Sequence, residues 1–353
     1  MKKLLAAGAA LLLAGTLSLS LVGCTKRVQV NYNAVEWKGG GAQIYDGETL
    51  VAETVTNAHL LRLEAGTHSL SLRRNGKKFA DFEYTVPELT ATVCTGSDDA
   101  SLSAYGDGIY FSASEHLILD YRTAVERDDA FSAPIYLAEN VKKVSVLASR
   151  TFRLQCSFIL QRRAQDIEFE FEKINLVGLS DIQHAIAYDD EVTPGGKIIL
   201  SFFGGGNSIA SGFVAKNGRN GSDKGWIGTG GNGENGENGG CAVKGGEIVI
   251  LSETDVVFSG TNGGNGGNGG DATVLAKAGN GGNGGNGGAA IEGTSVTLFM
   301  VDGVFTATAG NGGKAGSAGG RALGGAGSTG KAGTTPANVN AETKDALRGS
   351  FGE

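Results

Sequence analysis

The stretch that decides the architecture runs from Gly246 to Leu298. It opens with Gly246-Glu247-Ile248-Val249-Ile250-Leu251 and continues through Thr261-Asn262-Gly263-Gly264-Asn265-Gly266-Gly267-Asn268-Gly269-Gly270-Asp271. It returns through Gly279-Asn280-Gly281-Gly282-Asn283-Gly284-Gly285-Asn286-Gly287-Gly288 and starts again at Thr294-Ser295-Val296-Thr297-Leu298. Glycine fills 45 of the 139 positions from 195 to 333, close to the collagen fraction, yet no Pro lies between 196 and 335. A collagen triple helix needs Pro at many of those sites, so it is excluded. A three-residue sequence period calls for a three-residue helix, which is polyproline-II geometry with ~3.1 Å rise per residue. Such a strand has no internal hydrogen bonds. Several can pair laterally if no Cβ holds the backbones apart, and two Gly per turn clear two of three faces. The third face carries a ridge of Asn.

A longer period encloses the triplets. Gly196-Lys197-Ile198-Ile199-Leu200 corresponds to Gly246–Ile250 and to Thr294–Leu298, at steps of 50 and 48 residues. Each unit has an apolar strand, a second strand (Val256-Val257-Phe258, Val304-Phe305-Thr306), a triplet run outward, a short link and a triplet run back. Asn232-Gly233-Glu234, Asn235-Gly236-Glu237 and Asn238-Gly239-Gly240 form an earlier version; Ala309 to Gly333 keeps Gly but loses most Asn, as capping repeats do. This grammar resembles the polyglycine-II bundles of some glycine-rich bacterial surface, phage-adhesin and ice-binding proteins. The resemblance implies six lateral segments on one edge of the repeat. It makes Asn262, Asn265, Asn268, Asn280, Asn283 and Asn286 the candidate ligand-facing ridge. The competing reading is a flexible Gly-rich linker.

Working back from the repeats, residues 97–195 carry strands at longer intervals. His116-Leu117-Ile118-Leu119, Lys143–Leu147, Asp166–Phe171 and Lys197–Leu200 recur, with Ile135-Tyr136-Leu137 and Phe158-Ile159-Leu160 between them. Few hairpin turns interrupt them, which favours a parallel β-solenoid over a sandwich. Residues 31–93 alternate with period two around Asp46-Gly47, Ala65-Gly66 and Asn75-Gly76, as short antiparallel strands joined by tight turns do. The order IYDGETL…LRLEAGTHSLSLRRNGKKFADFEYTV resembles the PEGA-type module of bacterial envelope proteins, without the Pro that names it. His59 and His68 in this module stand apart from any nucleophile and read as surface or turn residues. The expected fold is thus all-β. A small β-sandwich-like module precedes a parallel β-solenoid whose C-terminal repeats (196–338) carry polyglycine-II bundles, and a polar tail (339–353) follows.

The N-terminus gives the address. Lys2-Lys3 precede an apolar run from Leu4 to about Leu17, and Leu21-Val22-Gly23-Cys24 follows. These residues resemble the bacterial lipobox in all four positions. The resemblance implies a signal peptide over 1–23, cleavage before Cys24, acylation of that Cys, and a tether over 24–30. Two or three acyl chains at ~0.8 kcal/mol per buried methylene anchor a protein stably. Thr25, in place of Asp, points to the outer membrane or cell surface. Of 30 basic and 37 acidic residues, removal of the two lysines leaves 28 against 37, or −9, which excludes sequence-independent nucleic-acid binding. Cys94, Cys156 and Cys241 are then three and widely spaced, which signals neither a disulfide framework nor a zinc site.

Chemistry is sparsely signalled. Asp120, Asp189, Asp190 and Glu191 are the acids a β-helix polysaccharide lyase or hydrolase would need; Tyr188-Asp189-Asp190-Glu191 would bind Ca²⁺ if the loop folded back and otherwise reads as an acidic solvated loop, and Arg162-Arg163 reads as a solvated turn. Gly266-Gly267-Asn268-Gly269-Gly270-Asp271 partly resembles the Ca²⁺-binding nonapeptide of RTX proteins. One copy is present and Thr273 replaces the large apolar residue, so no cofactor is expected, with calcium the lone candidate. A phosphate loop is excluded, since no Gly-Lys-Ser/Thr closes the Gly runs. The expectation is a non-enzymatic envelope lipoprotein with a structural or adhesive role. Its partners are a bilayer, through Cys24, and a glycan or surface protein. The lyase or hydrolase is the alternative and ice binding a third reading.

Overall fold

The computed structural model describes residues 28–31, 34–37, 39–94, 102–105, 108–123, 129–161, 165–189, 195–224, 228–272, 276–320, 327–331 and 333. Every regular element among them is a strand. The signal region with Cys24, the pairs Arg162-Arg163 and Asp190-Glu191, Thr273, and the tail from 334 lie outside the described residues. The chain divides into two compact units, one running to Glu88 and the other beginning at Leu89.

The first unit holds two antiparallel sheets around Val35, Trp37, Ile44, Leu61, Leu70 and Leu72, all essentially inaccessible. Ala42–Asp46 and Thr49–Thr54 form a hairpin at Gly47 (φ 57°), and Gly66–Arg74 and Lys77–Val86 form another at Asn75-Gly76 (φ 51° and 73°). Two successive left-handed residues suit the twist of a two-residue hairpin, which is why Asn-Gly stands there. Ala65-Gly66 differs from expectation. Ala58–Leu60 pairs with Ala34–Trp37 in the three-stranded sheet, so Leu61–Ala65 crosses between sheets and Gly66 begins a strand of the other. Leu61 faces the core from that crossing, which explains its apolar character without a strand. The module also ends earlier than residue 93, because Ala91–Cys94 pairs in parallel with His116–Leu119 of the second unit.

The second unit is dominated by parallel ladders. One sheet runs Ala91–Cys94, His116–Asp120, Lys143–Gln155, Ile167–Val177, Ile198–Phe203, Glu247–Ser252, Ser295–Met300. A branch of it runs from the far part of Ile167–Val177 through Asn207–Ala210 and Val256–Ser259 to Phe305–Thr308. The other sheet runs Gly108–Phe111, Ile135–Leu137, Phe158–Leu160, Ile186–Tyr188, Val243–Lys244, Ile291–Glu292, with Ser103–Tyr105 antiparallel at its end. Spatial order follows chain order, so each turn of chain adds one strand to each sheet. The ladder passes 195/196 without a break, and register steps of 50 (Ile198↔Ile248) and 48 (Ile248↔Val296) reproduce the sequence period.

Alternate residues of both sheets share one core. Phe158, Phe169, Phe171, Phe202, Phe258 and Phe305 form a continuous chain of ring contacts, stacked or edge-on, with successive centroids 5.4–6.1 Å apart. That spacing lies within the range aromatic pairs favour. At the corner where Ile198–Phe203 bends into Asn207–Ala210, the buried Asn207 closes the turn. Its amide donates to the Phe203 and Gly204 carbonyls, and its Oδ1 accepts the Ile174 N–H.

Candidate functional site

Between the branch strands and the short-strand sheet the last three turns make long excursions. Their triplet runs form six segments: 216–224, 229–240, 261–272, 277–288, 309–320 and 327–331 with Gly333. Partner order shows successive segments running antiparallel and alternate ones parallel. Glu234 and Glu237 N–H reach back to Arg219 and Lys216, whereas Gly218 and Gly221 N–H reach forward to Asn265 and Asn268.

Each triplet position has its own partner. The third-position N–H donates to the third-position carbonyl of the preceding segment: Gly267 to Glu234, Gly282 to Gly267, Gly316 to Gly282, all 2.7–2.9 Å. The second-position N–H donates to the first-position carbonyl one turn ahead, as Gly233 does to Asn280 and Gly266 to Lys314, both 2.8 Å. The first-position N–H donates to a side chain. Asn283 N–H meets Asn235 Oδ1, Asn265 meets Asn217, and Lys331 meets Asn283, at 2.7–2.8 Å. All three donors of a triplet are therefore satisfied without water, meeting the demand that backbone groups removed from solvent be paired.

Close approach explains the composition. A methyl group on Gly266 would overlap the Gly282 carbonyl oxygen, and one on Gly282 that of Glu234. The third position faces the turn before, and the first turn has none. There Lys216, Arg219, Glu234 and Glu237 replace Gly, exposed, and Glu237 and Glu234 accept the Lys216 and Arg219 N–H groups. Among the described residues no turn follows the last one, and its first positions are Asn311, Lys314, Ser317, Ser328 and Lys331.

The ridge residues Asn262, Asn265, Asn268, Asn283 and Asn286 are exposed and Asn280 half-buried. Each is also a structural part. Asn280 and Asn283 Oδ1 hold the amides of Ser328 and Lys331, and Asn262, Asn265 and Asn268 hold those of Asn311, Lys314 and Ser317. Asn286 receives support from Asn238 Oδ1. The segment resembling a calcium nonapeptide is absorbed in the same ladder: Asp271 accepts the Gly320 N–H, and its own N–H meets Asp223 Oδ1, both at 2.8 Å.

Of the acids picked out from sequence, Asp120 and Asp189 lie at different sheets, and Asp190 and Glu191 fall outside the described residues. Asp120 forms a 2.6 Å ion pair with Arg122, which with its hydrogen bonds holds the carboxyl below its usual range. Asp189 lies on the other sheet's side, at an open depression lined also by Tyr136, Ile159, Asp181 and His184. A different group converges on the face of the long sheet opposite the core. His116 Nε2 lies 2.9 Å from Ser145 Oγ, which donates to Glu170 at 3.3 Å, and Lys143 pairs with Glu170 at 2.8 Å and Glu168 at 3.6 Å. Burial, then the Lys143 charge, lowers His116 to about 4. Burial alone would lower Lys143, but Glu168 and Glu170 outweigh it and raise its pKa. That keeps the ammonium charged, which suits ion pairing rather than proton transfer. Glu168-Phe169-Glu170-Phe171-Glu172 was the available signal, since alternation puts the three acids on one face.

In the first unit His68 bridges Asp46 (2.6 Å) and the Glu64 carbonyl (2.9 Å), and the Asp46 hydrogen bond raises its pKa; burial lowers that of His59. Cys94, Cys156 and Cys241 are buried free thiols. Burial holds Cys156 well above the ordinary thiol range and, with a hydrogen bond to Glu292, lifts Cys241 to about 12, so neither is a ready nucleophile. Comparison with protein families, with curated proteins and with solved structures finds no match to the chain.

Proposed function

We propose that the chain is a cell-envelope lipoprotein, acylated at Cys24, with a structural or adhesive role. In this reading a small β-sandwich-like module near the anchor precedes a parallel β-solenoid. The last three coils of the solenoid carry a six-stranded polyglycine-II slab that presents rows of Asn. One observation carries the proposal: every N–H from Gly263 to Gly270 and from Asn280 to Asn286 has a partner inside the ladder, at 2.7–2.9 Å. A tract so paired is a stiff platform, whereas a linker would leave the same amides to water. Such a surface serves to display or to bind, and the lipobox resemblance supplies a reason for it to sit on an envelope.

The lipid tether is tested by membrane fractionation of the full chain. Cys24→Ser is expected to move it from the membrane to the soluble fraction, and retention of the variant would remove the lipoprotein reading. The platform is tested by amide exchange. Protection of Gly263–Gly270 and Gly281–Gly288 is expected, and exchange at coil rates would leave a loose tail. The alternative, a polysaccharide lyase or hydrolase, would draw on the group His116, Lys143, Glu168 and Glu170. Sugar-chain cleavage abolished by Glu168→Gln would establish it.

A further inference from the structure

The ladder fixes which atom each ridge side chain offers to a ligand. An amide carries an oxygen that accepts and a nitrogen that donates two hydrogens. The group opposite each first-position side chain is a backbone N–H, which can only donate, so the facing atom must be Oδ1. The orientation of these amides is thus dictated by their partner. Asn232 and Asn235 hold the amides of Asn280 and Asn283, which in turn hold those of Ser328 and Lys331. With each oxygen engaged inward, the atoms left for a ligand are the Nδ2 donors.

The two columns of segments differ in what accompanies those donors. In the column 216–224, 261–272, 309–320, the first positions include Asp223 and Asp271. In the column 229–240, 277–288, 327–331, the first positions among the described residues are Thr, Asn or Ser, with Lys277 and Lys331 as their charges. Glu234 and Glu237 of that column are third-position residues turned toward the Arg219 and Lys216 amides. This second face is therefore rich in donors and weakly cationic on a chain of net charge −7. First positions repeat about every 9 Å along a segment, three residues of ~3.1 Å rise, a step comparable with a disaccharide in an extended glycan.

We propose that the face formed by Asn232, Asn235, Asn280, Asn283, Ser328 and Lys331 binds an acidic polysaccharide laid along the triplet rows. Its carboxylate or sulfate groups accept from the Nδ2 donors and from Lys331. Such groups accept without donating, so they match a surface whose amide oxygens already turn toward backbone N–H groups, and charge-assisted bonds are the stronger kind. The proposal rests on the adhesive reading and names its ligand class.

The structure also provides the substitution that separates ligand from scaffold. Asp223 and Asp271 show that a carboxylate oxygen holds the next amide as well as an amide oxygen does, at 2.8 Å. Asn280→Asp with Asn283→Asp therefore keeps the ladder and removes the donors. Binding of the full chain to immobilised polygalacturonate, a sulfated glycan, neutral dextran and single-stranded DNA is measured beside amide exchange. Expected are retention on one or both acidic glycans, little on dextran, and a loss of about ten-fold or more in the Asp variant, with Gly281–Gly288 still protected. Lys331→Gln weakens binding by a smaller factor.

Equal binding by the Asp variant overturns the donor face, as does a preference for dextran; the latter leaves the adhesive reading standing. DNA bound more tightly than either glycan overturns the ligand class. No glycan bound by a chain whose slab amides are protected overturns the adhesive reading itself. If the Asp variant loses protection, Asn283→Asp alone replaces it, since it removes a donor while disturbing one rung only. Undiminished binding by that variant overturns the donor face, and a loss supports it.

Discussion

The strand stack and the glycine slab share one unit and one period but are held by different physics. In the stack, Leu200, Phe202, Ile248 and Ile250 are removed from water and side chains carry the packing. In the slab the contacts are backbone to backbone, so the few buried side chains are small ones such as Ala272 and Ala278. Apolar burial stabilises the stack at roughly 25 cal/mol per Å². The slab has little such surface to bury, and ordering Gly costs more backbone entropy than ordering any other residue. What offsets that cost is complete pairing and a scaffold that delivers each segment to its neighbour at a fixed step. The stack can exist without the slab, as its earlier turns do; the slab depends on the stack.

The largest expected effect that tests this contrast is in the stack. Phe202→Ala, at the centre of the aromatic column, should cost about 3–5 kcal/mol in denaturant unfolding and loosen strand and slab amides together. Loosening of the strands with the slab left protected would break the proposed dependence. Next comes Gly282→Ala with Gly285→Ala, whose methyls overlap the Glu234 and Glu237 carbonyls. A cost of about 1–3 kcal/mol is expected, confined to slab amides by hydrogen exchange, with Ile248–Leu251 unaffected. Glu234→Ala is the matched control at a first-turn third position and should stay within about 0.5 kcal/mol.

A smaller change sharpens the role of the ridge. Asn235→Ala removes the acceptor of the Asn283 amide and should cost about 1 kcal/mol, read as faster exchange of that amide; Asn235→Asp should not. The mildest concerns acid on the outer face of the stack. His116 binds its proton near pH 4 in the folded chain and near the ordinary 6.5 when unfolded, so between those values the unfolded state holds more protons. The corresponding stability is present above about pH 6.5 and is lost as pH falls toward 4. His116→Gln should flatten the dependence in that window, measured by denaturation at fixed pH.

Much of this was legible along the chain, for identifiable reasons. Period two and Asn75-Gly76 disclose strands and a hairpin, because pleat and turn geometry are local. The triplets disclose a three-residue alternation of hydrogen-bond partners, and the 50- and 48-residue steps disclose the repeat. Ala65-Gly66 misled because a Gly marks a chain reversal equally well when the strands on either side belong to different sheets. The group His116, Ser145, Glu170 and Lys143 stayed hidden because its members lie on three successive turns of chain, about 25 residues apart. Why Glu stands at 234 and 237 was not legible, because the reason is their place on the first turn that carries triplets, where no earlier triplet carbonyl faces the third position.

Sequence alone set the alphabet of this protein: where strands alternate, where side chains vanish, and that Asn recurs every third residue. Tertiary structure decided what each letter faces. Whether a third position must be Gly depends on a neighbour 48 residues away, and whether an amide oxygen meets solvent or a backbone N–H depends on the same stacking. Local preferences reach a few residues along the chain, while hydrogen-bond partners here are matched only when successive turns come into register.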